Sequence, residues 1–200
     1  MYLRPAFAVT DLDQIEGLIR QHPFGLLVTD GPAGLSASHL PFAVKREADG
    51  LVLMGHLAAQ NAQCAMFTGS KALAIFSGPH AYISPSWYVT QPSVPTWDYA
   101  AVHIHGELLP TAGHLEMLDQ LAVDDPGRFD VRALPERYRE KMLAGIKSFR
   151  MPAQHIEAQW KMSQNRSIED RQGVISALRS EGRDHVAREI EATLAIQQPR

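Results

Sequence analysis

The sequence has little cysteine, little net charge and no long apolar run, and each shortage excludes a class of protein. Its 200 residues include one cysteine, Cys64, which cannot form an intramolecular disulfide. The formal net charge of −3 gives no positive field that would draw the chain to nucleic acid or to an anionic membrane. No apolar segment approaches the roughly 18 residues that span a bilayer, and the opening MYLRPAF lacks the apolar run of a signal peptide. These shortages predict a cytoplasmic protein without a membrane segment.

Catalytic and metal-binding motifs are also absent from the sequence. The chain has no HExxH, paired CxxC, GxSxG or glycine-rich phosphate loop. His103 and His105 are two residues apart on one predicted strand face, but a metal site needs a third ligand at a recurring spacing. We therefore assign no catalytic and no metal-binding residue, and the sequence favours a binding protein over an enzyme.

Aromatic residues are concentrated between Gly78 and Gly106. This stretch holds two of the three tryptophans, three of the five tyrosines and three of the nine histidines, and its one formally charged residue is Asp98. Trp and Tyr offer large contact areas with one polar group each. The stretch therefore predicts a surface that is covered by a flat aromatic ligand, by a second subunit or by both. The alternative is a core loop that happens to be aromatic.

Hydrophobic periodicity predicts about six short strands and a set of covering helices. The strands are predicted at 24–29, 35–44, 51–56, 72–77, 99–108 and in the alternating last part of 147–162. The helices are predicted at 11–21, 58–67, 111–123, 135–144, from 167 through 178, and at 184–196. The clearest strand runs from Tyr99 to Leu108, with Val102 and Ile104 on the face that should point into the core. Hairpin-like connections favour a small antiparallel barrel of the α+β class over a doubly wound sheet.

Short polar clusters lie at the predicted strand ends. The first cluster is Ser36, Ser38 and His39, and two others surround His56 with Asn61 and the segment 161–167. Such clusters suit a phosphate ester, because helix starts present free N–H groups and basic side chains supply charge. Turns, caps and edge-strand residues are the alternative for each cluster alone. Together with the aromatic stretch, they favour a phosphorylated aromatic ligand.

Several segments, in order along nearly the whole chain, resemble the PaiB family. They are SHLPF at 38–42, GHLA at 55–58 with Asn61, FSGPHAYISPSWY at 76–88, VPTWDY at 94–99 with Val102 and His103, and KMSQNR at 161–166. The chain departs from the family where Asp98 stands at a position at which asparagine is common. The resemblance implies one FMN-binding split-barrel domain over 1–200, with a helical C-terminal extension over about 163–200. It also implies a homodimer with flavin near the subunit interface, and a negative transcriptional regulator.

The resemblance also implies which residues contact FMN. The first set, around the flavin phosphate or ribityl chain, consists of Ser38, His39, His56 and Asn61. The second set consists of Lys161, Ser163, Gln164 and Asn165. The flavin ring would be lined or capped, from the same or the partner subunit, by Trp87, Trp97, Tyr99 and His103.

Two other functions stay open at this point. An FMN-dependent oxidoreductase that uses NAD(P)H is the alternative, because split barrels also host such enzymes and the flavin supplies the hydride chemistry. Direct DNA binding is implied by the regulator label alone. One basic segment is present, at Arg128, Arg132, Arg137, Arg139, Lys141, Lys147 and Arg150, but no helix-turn-helix pattern surrounds it.

Overall fold

The computed structural model of the chain describes residues 1–121, 127 and 130–196, and these contain seven strands and five α-helices. The strands are β1 (Phe24–Gly31), β2 (Gly34–Pro41), β3 (Ala43–Glu47), β4 (Gly50–Ala58), β5 (Ser70–Ile83), β6 (Thr96–Thr111) and β7 (Ile146–Lys161). The helices are α1 (Leu12–Gln21), α2 (His114–Leu121), α3 (Glu136–Ala144), α4 (Ile168–Ser180) and α5 (Asp184–Ile196). Short 3-10 helices lie at Ala62–Met66, Pro85–Trp87 and Val131–Ala133.

The strands form one sheet in the order β2-β1-β5-β6-β7-β4-β3. The pairs β1–β2, β1–β5, β3–β4 and β4–β7 are antiparallel, and the α+β prediction is therefore confirmed. The predicted strand at 35–44 is two strands, because β2 ends at Pro41, which has no N–H to donate to a neighbour. The next N–H, of Phe42, is bonded at 2.8 Å to the carbonyl of Pro23 instead.

The chain divides into two compact units, of which the inner unit comprises Leu12–Phe76 and His103–Ile156. Four phenylalanines form the centre of its core. Phe42 lies edge-on to Phe76 at 5.1 Å between ring centroids, and Phe149 lies 5.0 Å from Phe67. Helix α1 buries Ile15, Leu18 and Ile19, which confirms the helical stripe predicted there.

The terminal unit comprises Met1–Asp11, Ser77–Val102 and Glu157–Arg200. Its helices α4 and α5 bury Val174, Leu178, Val186 and Ile190. Ser167 caps helix α4, and its side chain accepts a hydrogen bond from Asp170 N. A Cβ on Gly173 would lie 2.2 Å from the carbonyl oxygen of Trp87, so this close approach requires glycine.

The strand alternation predicted from Tyr99 to Leu108 is confirmed. Buried residues alternate with half-buried ones through this part of β6, and Val102 and Ile104 are fully buried. The helix predicted at 58–67 is wrong. Strand β4 continues to Ala58, which pairs with Ile146, and the alanine-rich residues that follow form the short 3-10 helix Ala62–Met66.

The remaining predictions concern the second half of the chain. Helix α3 lies where it was predicted, and strand β7 includes the alternation predicted at the end of 147–162 but begins earlier, at Ile146. Helix α2 ends at Leu121, and Val123, the predicted end, is outside the described residues. Between α2 and α3, the structure describes residues 127 and 130–135, and Val131–Ala133 forms a 3-10 helix. None of the helices in the described ranges has the length and hydropathy needed to cross a membrane.

Candidate functional site

The first predicted set, Ser38, His39, His56 and Asn61, lies in the inner unit and is called the Ser38 group below. Ser38 and His39 are on strand β2, which forms one edge of the sheet, and His56 is on β4. Asn61 is the N-cap residue of the 3-10 helix Ala62–Met66. Asn61 Nδ2 donates a hydrogen bond to Ser38 Oγ at 3.2 Å. The fold therefore brings two of the predicted residues into direct contact across 23 positions of sequence.

A buried glutamine that the sequence analysis missed fixes the position of Asn61. Asn61 Oδ1 accepts a hydrogen bond of 2.9 Å from Gln63 N. The side chain of Gln63, which is 4% exposed, donates to Thr29 Oγ1 at 3.0 Å and to the carbonyl of Leu27 at 3.2 Å. These bonds fasten the 3-10 helix to β1, so Asn61 is held in place. Asn61 was predicted from the resemblance to the family. Gln63 belongs to no motif and no hydrophobic repeat, so the sequence did not identify it.

His39 forms an exposed aromatic pair at the sheet edge. Its ring stacks on Phe24 with 5.9 Å between centroids and an interplanar angle of 19°. Phe24 is 67% exposed, so the stacked pair is open to solvent. The pair therefore offers a flat apolar face beside Ser38.

His56 has a buried ring nitrogen with no hydrogen-bond partner. Its Nδ1 is unpartnered among the described residues, although buried polar atoms are nearly always paired. Burial lowers the pKa of His56, and the neighbouring His114 lowers it further, so the imidazole is neutral at pH 7. A neutral ring with a free nitrogen can donate or accept one hydrogen bond to a ligand.

A cavity of about 650 Å³ lies in the inner unit, at the start of α2 and β7. Its walls include Phe67, His114 and Ser148. His114 Nδ1 and Ser148 Oγ are 2.6 Å apart and share a hydrogen bond. Ser148 is opposite His56 in the β4–β7 pairing, which places the cavity next to the Ser38 group. The sequence analysis did not single out His114 or Ser148, because neither belongs to a motif.

The second predicted set centres on Asp98 in the terminal unit. Lys161 Nζ donates to Thr96 Oγ1 at 2.8 Å, to Asp98 Oδ1 at 3.1 Å and to the carbonyl of Trp97. Ser163 Oγ donates to Asp98 Oδ2 at 2.6 Å. Thr96, Asp98, Lys161 and Ser163 are called the Asp98 network. All three N–H donors of the lysine are therefore used, two of them on other members of the network and one on the carbonyl of Trp97.

Burial dominates the electrostatics of the Asp98 network. Asp98 is 0% exposed, and burial raises the pKa of its carboxyl above the ordinary value. The hydrogen bond from Ser163 and the charge of Lys161 act in the opposite direction. The chain's own donors therefore compensate the buried carboxylate only in part.

The rest of the second set is also used internally or is exposed. Gln164 accepts a hydrogen bond from Met162 N and donates one to the carbonyl of Trp160, each at 2.6 Å. Ser163 has a φ of 57°, the left-handed conformation of a tight turn. Asn165 is exposed.

The aromatic residues predicted to line the flavin ring have different surroundings. Trp97 is 53% exposed. Its ring centroid lies 6.2 Å from that of Tyr82 and 6.3 Å from that of His80, so the three rings form one surface cluster of the terminal unit. Trp87 is half-buried, and the hydroxyl of Tyr99 accepts a hydrogen bond from Gln159. His103 is half-buried and belongs to the inner unit.

The Ser38 group suits the polar part of FMN. A hydroxyl, a side-chain amide and two imidazoles can donate to phosphate or ribityl oxygens, and His56 Nδ1 lacks a protein partner among the described residues. In the same described ranges, no three His, Cys, Asp or Glu side chains converge on a point that could hold a metal ion.

Comparison with solved structures defines the class of the fold. A FAD and heme binding protein from Mycobacterium smegmatis superimposes with a TM-score of 0.59 at 15% identity, covering 77% of this chain and 73% of that one. The flavocytochrome Anf3 from Azotobacter vinelandii superimposes with a TM-score of 0.60 at 12% identity, covering 80% and 72%. The chain therefore has the split-barrel fold of flavin-binding proteins, as predicted.

Comparison with sequences then gives the family. Residues 1–155 match the family described as "Putative FMN-binding domain". The "Protease synthase and sporulation protein PAI 2" of Bacillus subtilis (strain 168) is 34% identical over 191 residues, which is 90% of each chain. An uncharacterised protein of Aspergillus fumigatus is 27% identical over 240 residues, covering 91% of this chain and 92% of that one. The chain belongs to the PaiB family of FMN-binding split-barrel proteins, and FMN is its cofactor.

Proposed function

We propose that this chain holds FMN with the Ser38 group on the phosphate or ribityl chain, and that it acts as a negative regulator of transcription without contacting DNA. The hydrogen bond between Ser38 and Asn61, beside an unpartnered His56 nitrogen, is the observation that carries the assignment of the site. It lies within the residues that match the FMN-binding family.

The Ser38 group keeps hydrogen-bonding capacity that a phosphorylated ligand can use. Ser38 Oγ accepts from Asn61, so its own O–H stays available as a donor. Asn61 uses one N–H on Ser38, and the amide has a second. His39 is exposed and His56 is neutral, so both rings can donate to ligand oxygens. Bound FMN would supply the redox chemistry, and these residues would orient it.

The surface cluster of Trp97, Tyr82 and His80 supports a homodimer. Val89 and Val94, also in the terminal unit, are 74% and 70% exposed, so this unit presents several apolar side chains to solvent. Exposed aromatic residues of this kind are typical of protein interfaces. In the proposed dimer, Trp97 meets the second copy. Trp87, Tyr99 and His103 remain the other candidates for the flavin ring, from the same or the partner subunit.

Two cations of the basic segment are paired within the chain and the net charge is −3, which together favour indirect regulation. Arg132 forms a bidentate ion pair with Asp119 at 2.6 Å, and Arg150 pairs with Glu47 at 2.9 Å. Cations that are paired with carboxylates of their own chain contribute little to phosphate binding. Arg128 lies outside the described residues. We therefore infer that repression acts through metabolism or a protein partner, in the cytoplasm.

Titration with FMN tests the site. Asn61→Asp keeps the oxygen that caps the 3-10 helix but loses the amide donor and adds a negative charge beside the phosphate. We expect it to weaken FMN binding at least about tenfold, since a hydrogen bond to a charged group contributes about 1.5–3 kcal/mol. Gln60→Glu makes the same charge change at the exposed neighbouring position and should change the affinity less than about threefold.

Two spectra and one binding assay separate the alternatives. A flavin absorption band in the purified protein, or a thermal shift on adding FMN, is the expected result. Absence of both would contradict the site. Bleaching of the flavin band by NAD(P)H, with turnover above free flavin, would favour the oxidoreductase over the regulator. Salt-sensitive retention of DNA in a gel shift would contradict indirect regulation.

The dimer has its own matched test. Trp97→Lys should shift the protein from dimer to monomer in size-exclusion chromatography with light scattering, because a charge would enter an apolar interface. Tyr138→Lys is the control, since Tyr138 on α3 has the same 53% exposure. A wild-type monomer at micromolar concentration, or equal effects of both substitutions, would refute the proposed interface.

A further inference from the structure

We propose that the cavity of the inner unit binds a small organic acid, with the carboxylate on Lys147 and His114 and the apolar body against Phe67, Pro110 and Ile146. The cavity volume of about 650 Å³ lies within the range of roughly 300–1,000 Å³ that is typical of small-molecule sites. The proposal requires that the flavin bind at residues other than those that line this cavity.

The charge of the cavity determines the class of ligand. Among the described residues that line it, Lys147 alone carries a full charge and none is a carboxylate. Lys147 has no ion-pair partner anywhere in the described ranges, whereas Lys45, also on a strand, pairs with Glu116 at 2.8 Å. An unpaired ammonium at an otherwise neutral cavity favours an anionic ligand.

The charge of Lys147 acts on the cavity itself. The Cys64 thiol lines the cavity, and burial raises its pKa while the Lys147 ammonium opposes that rise. The ammonium therefore lies close enough to influence a group in the wall. A carboxylate in the cavity would be favoured by the same field.

His114 supplies a second, oriented donor. Its Nδ1 is fixed by the 2.6 Å hydrogen bond to Ser148 Oγ, and Ser148 is 3% exposed. The ring is thereby held at the cavity wall, and in the tautomer in which Nδ1 accepts from Ser148 Oγ, Nε2 carries the proton and can donate to a ligand. His114 is also the first residue of α2, so the positive end of that helix dipole lies at the same place.

The opposite wall suits a hydrocarbon body. Phe67 is 4% exposed and packs on Phe149, so this part of the wall is a fixed aromatic face. Pro110 and Ile146 add two further apolar surfaces. An acid with a ring or a short alkyl chain would bury its body there and keep its charge at Lys147, and its neutral amide would lose the ionic contact.

The cavity is distinct from the contacts that define the flavin proposal. Gln63 fastens the 3-10 helix Ala62–Met66 to β1 and is absent from the cavity wall. Cys64 and Ala65, the next two residues, line the cavity. Ser38 and Asn61 do not line it. The cavity and the proposed FMN contacts therefore use different residues, and we expect an acid and FMN to bind together.

Calorimetric titration with benzoate and hexanoate, each against its amide, tests the proposal. We expect at least one acid to bind about tenfold more tightly than its amide. Lys147→Met should remove this preference and weaken binding of the acid about tenfold. Lys71→Met is the matched control, because Lys71 is also an exposed second residue of a strand but lines no part of the cavity, and it should bind like the wild type.

A second pair of variants tests the apolar wall without touching the charge. Ala65→Phe should fill the cavity and abolish binding of the acid. Ala62→Phe, on the same 3-10 helix but outside the cavity, should not. Circular dichroism of each variant verifies the fold, and both alanines are exposed.

Four outcomes would overturn the proposal. They are failure of both acids to bind at about 10 mM, equal binding of acid and amide, unchanged binding by Lys147→Met, and competition between FMN and the acid. Competition would assign Lys147 to the flavin phosphate instead. Because the titrations are run with and without FMN, failure of the flavin site leaves the acid titration interpretable.

Discussion

The Ser38 group and the Asp98 network are both polar clusters that the family pattern marks, yet they have opposite hydrogen-bond states. In the Asp98 network, Lys161 has an acceptor for each of its three donors, and Asp98 receives Ser163 as well. In the Ser38 group, one hydrogen bond joins Ser38 to Asn61, and His56 Nδ1 has no partner in the described part of the chain.

The difference shows how a stabilising cluster can be distinguished from a binding cluster. A buried charge requires partners within its own chain, because an unpaired one costs several kcal/mol. A ligand site must instead keep donors free until the ligand supplies the acceptors. We therefore expect substitutions in the Asp98 network to lower the free energy of unfolding, and substitutions in the Ser38 group to lower the affinity for FMN.

The largest expected effect is that of Lys161→Met on stability. It leaves the Asp98 carboxylate at 0% exposure without its cation, which should lower the free energy of unfolding by about 3 kcal/mol. Urea unfolding at pH 7 measures this loss. Lys141→Met on α3, at an exposed lysine, should cost less than about 0.5 kcal/mol.

The same variant tests the predicted cofactor role of the second set. If the folded Lys161→Met protein binds FMN as the wild type does, Lys161 is a stabilising residue. A loss of FMN affinity above about tenfold, with stability unchanged, would contradict the stabilising role and would show that Lys161 contacts the flavin.

The next effect is that of Ser38→Ala, which should act on binding more than on stability. Ser38 is half-buried on an edge strand, so the loss of its hydroxyl should cost less than about 1 kcal/mol of unfolding free energy. FMN affinity should fall about tenfold, because one donor to the ligand is removed and Asn61 loses the acceptor that orients it. Fluorescence titration of FMN measures the affinity.

Ser77→Ala on β5 is the control for this variant, since Ser77 is exposed and belongs to neither cluster. Unchanged FMN affinity in Ser38→Ala, together with a stability loss as large as that of Lys161→Met, would show that the Ser38 group is structural.

Periodic segments of the fold could be predicted from the sequence, and segments that depend on distant contacts could not. The alternation around Val102 and Ile104 follows from the twofold repeat of a strand, and α1 follows from its apolar stripe. The alanine-rich stretch after Ala58 satisfies helix propensity, but pairing of Ala58 with Ile146 and the bonds of Gln63 to β1 give it another structure. Tertiary contacts overrode local propensity there.

The candidate site shows the same limit. The family pattern identified Ser38 and Asn61, and the structure brings them together. It could not separate them from Lys161, because the partner that occupies Lys161 is Asp98, 63 residues away. The pair of His114 and Ser148 had no motif at all, since it depends on two elements that meet in the fold. Side-chain types were readable from the sequence, and their partners were not.

The smallest expected effect is the pH dependence of stability that Asp98 contributes. It measures how fully the Asp98 network compensates the buried carboxylate, and so it sharpens the comparison with the Ser38 group. Burial raises the pKa of Asp98 above its ordinary value of 3.8, so the folded protein binds this proton more tightly than the unfolded chain does. Its contribution to stability is therefore complete below pH 3.8 and is lost as the pH rises through the raised pKa. Asp98→Asn has no such titration.

The unfolding free energy of the wild type minus that of Asp98→Asn should accordingly fall as the pH rises above 3.8 and then level off. Urea unfolding of both proteins from about pH 3 to about pH 7 measures this difference. Asp170→Asn is a control of opposite sign, since the backbone N–H of Thr90 lowers the pKa of Asp170. If the Asp98 difference instead rises with pH, then Lys161 and Ser163 outweigh burial, and the network stabilises the carboxylate more than water does.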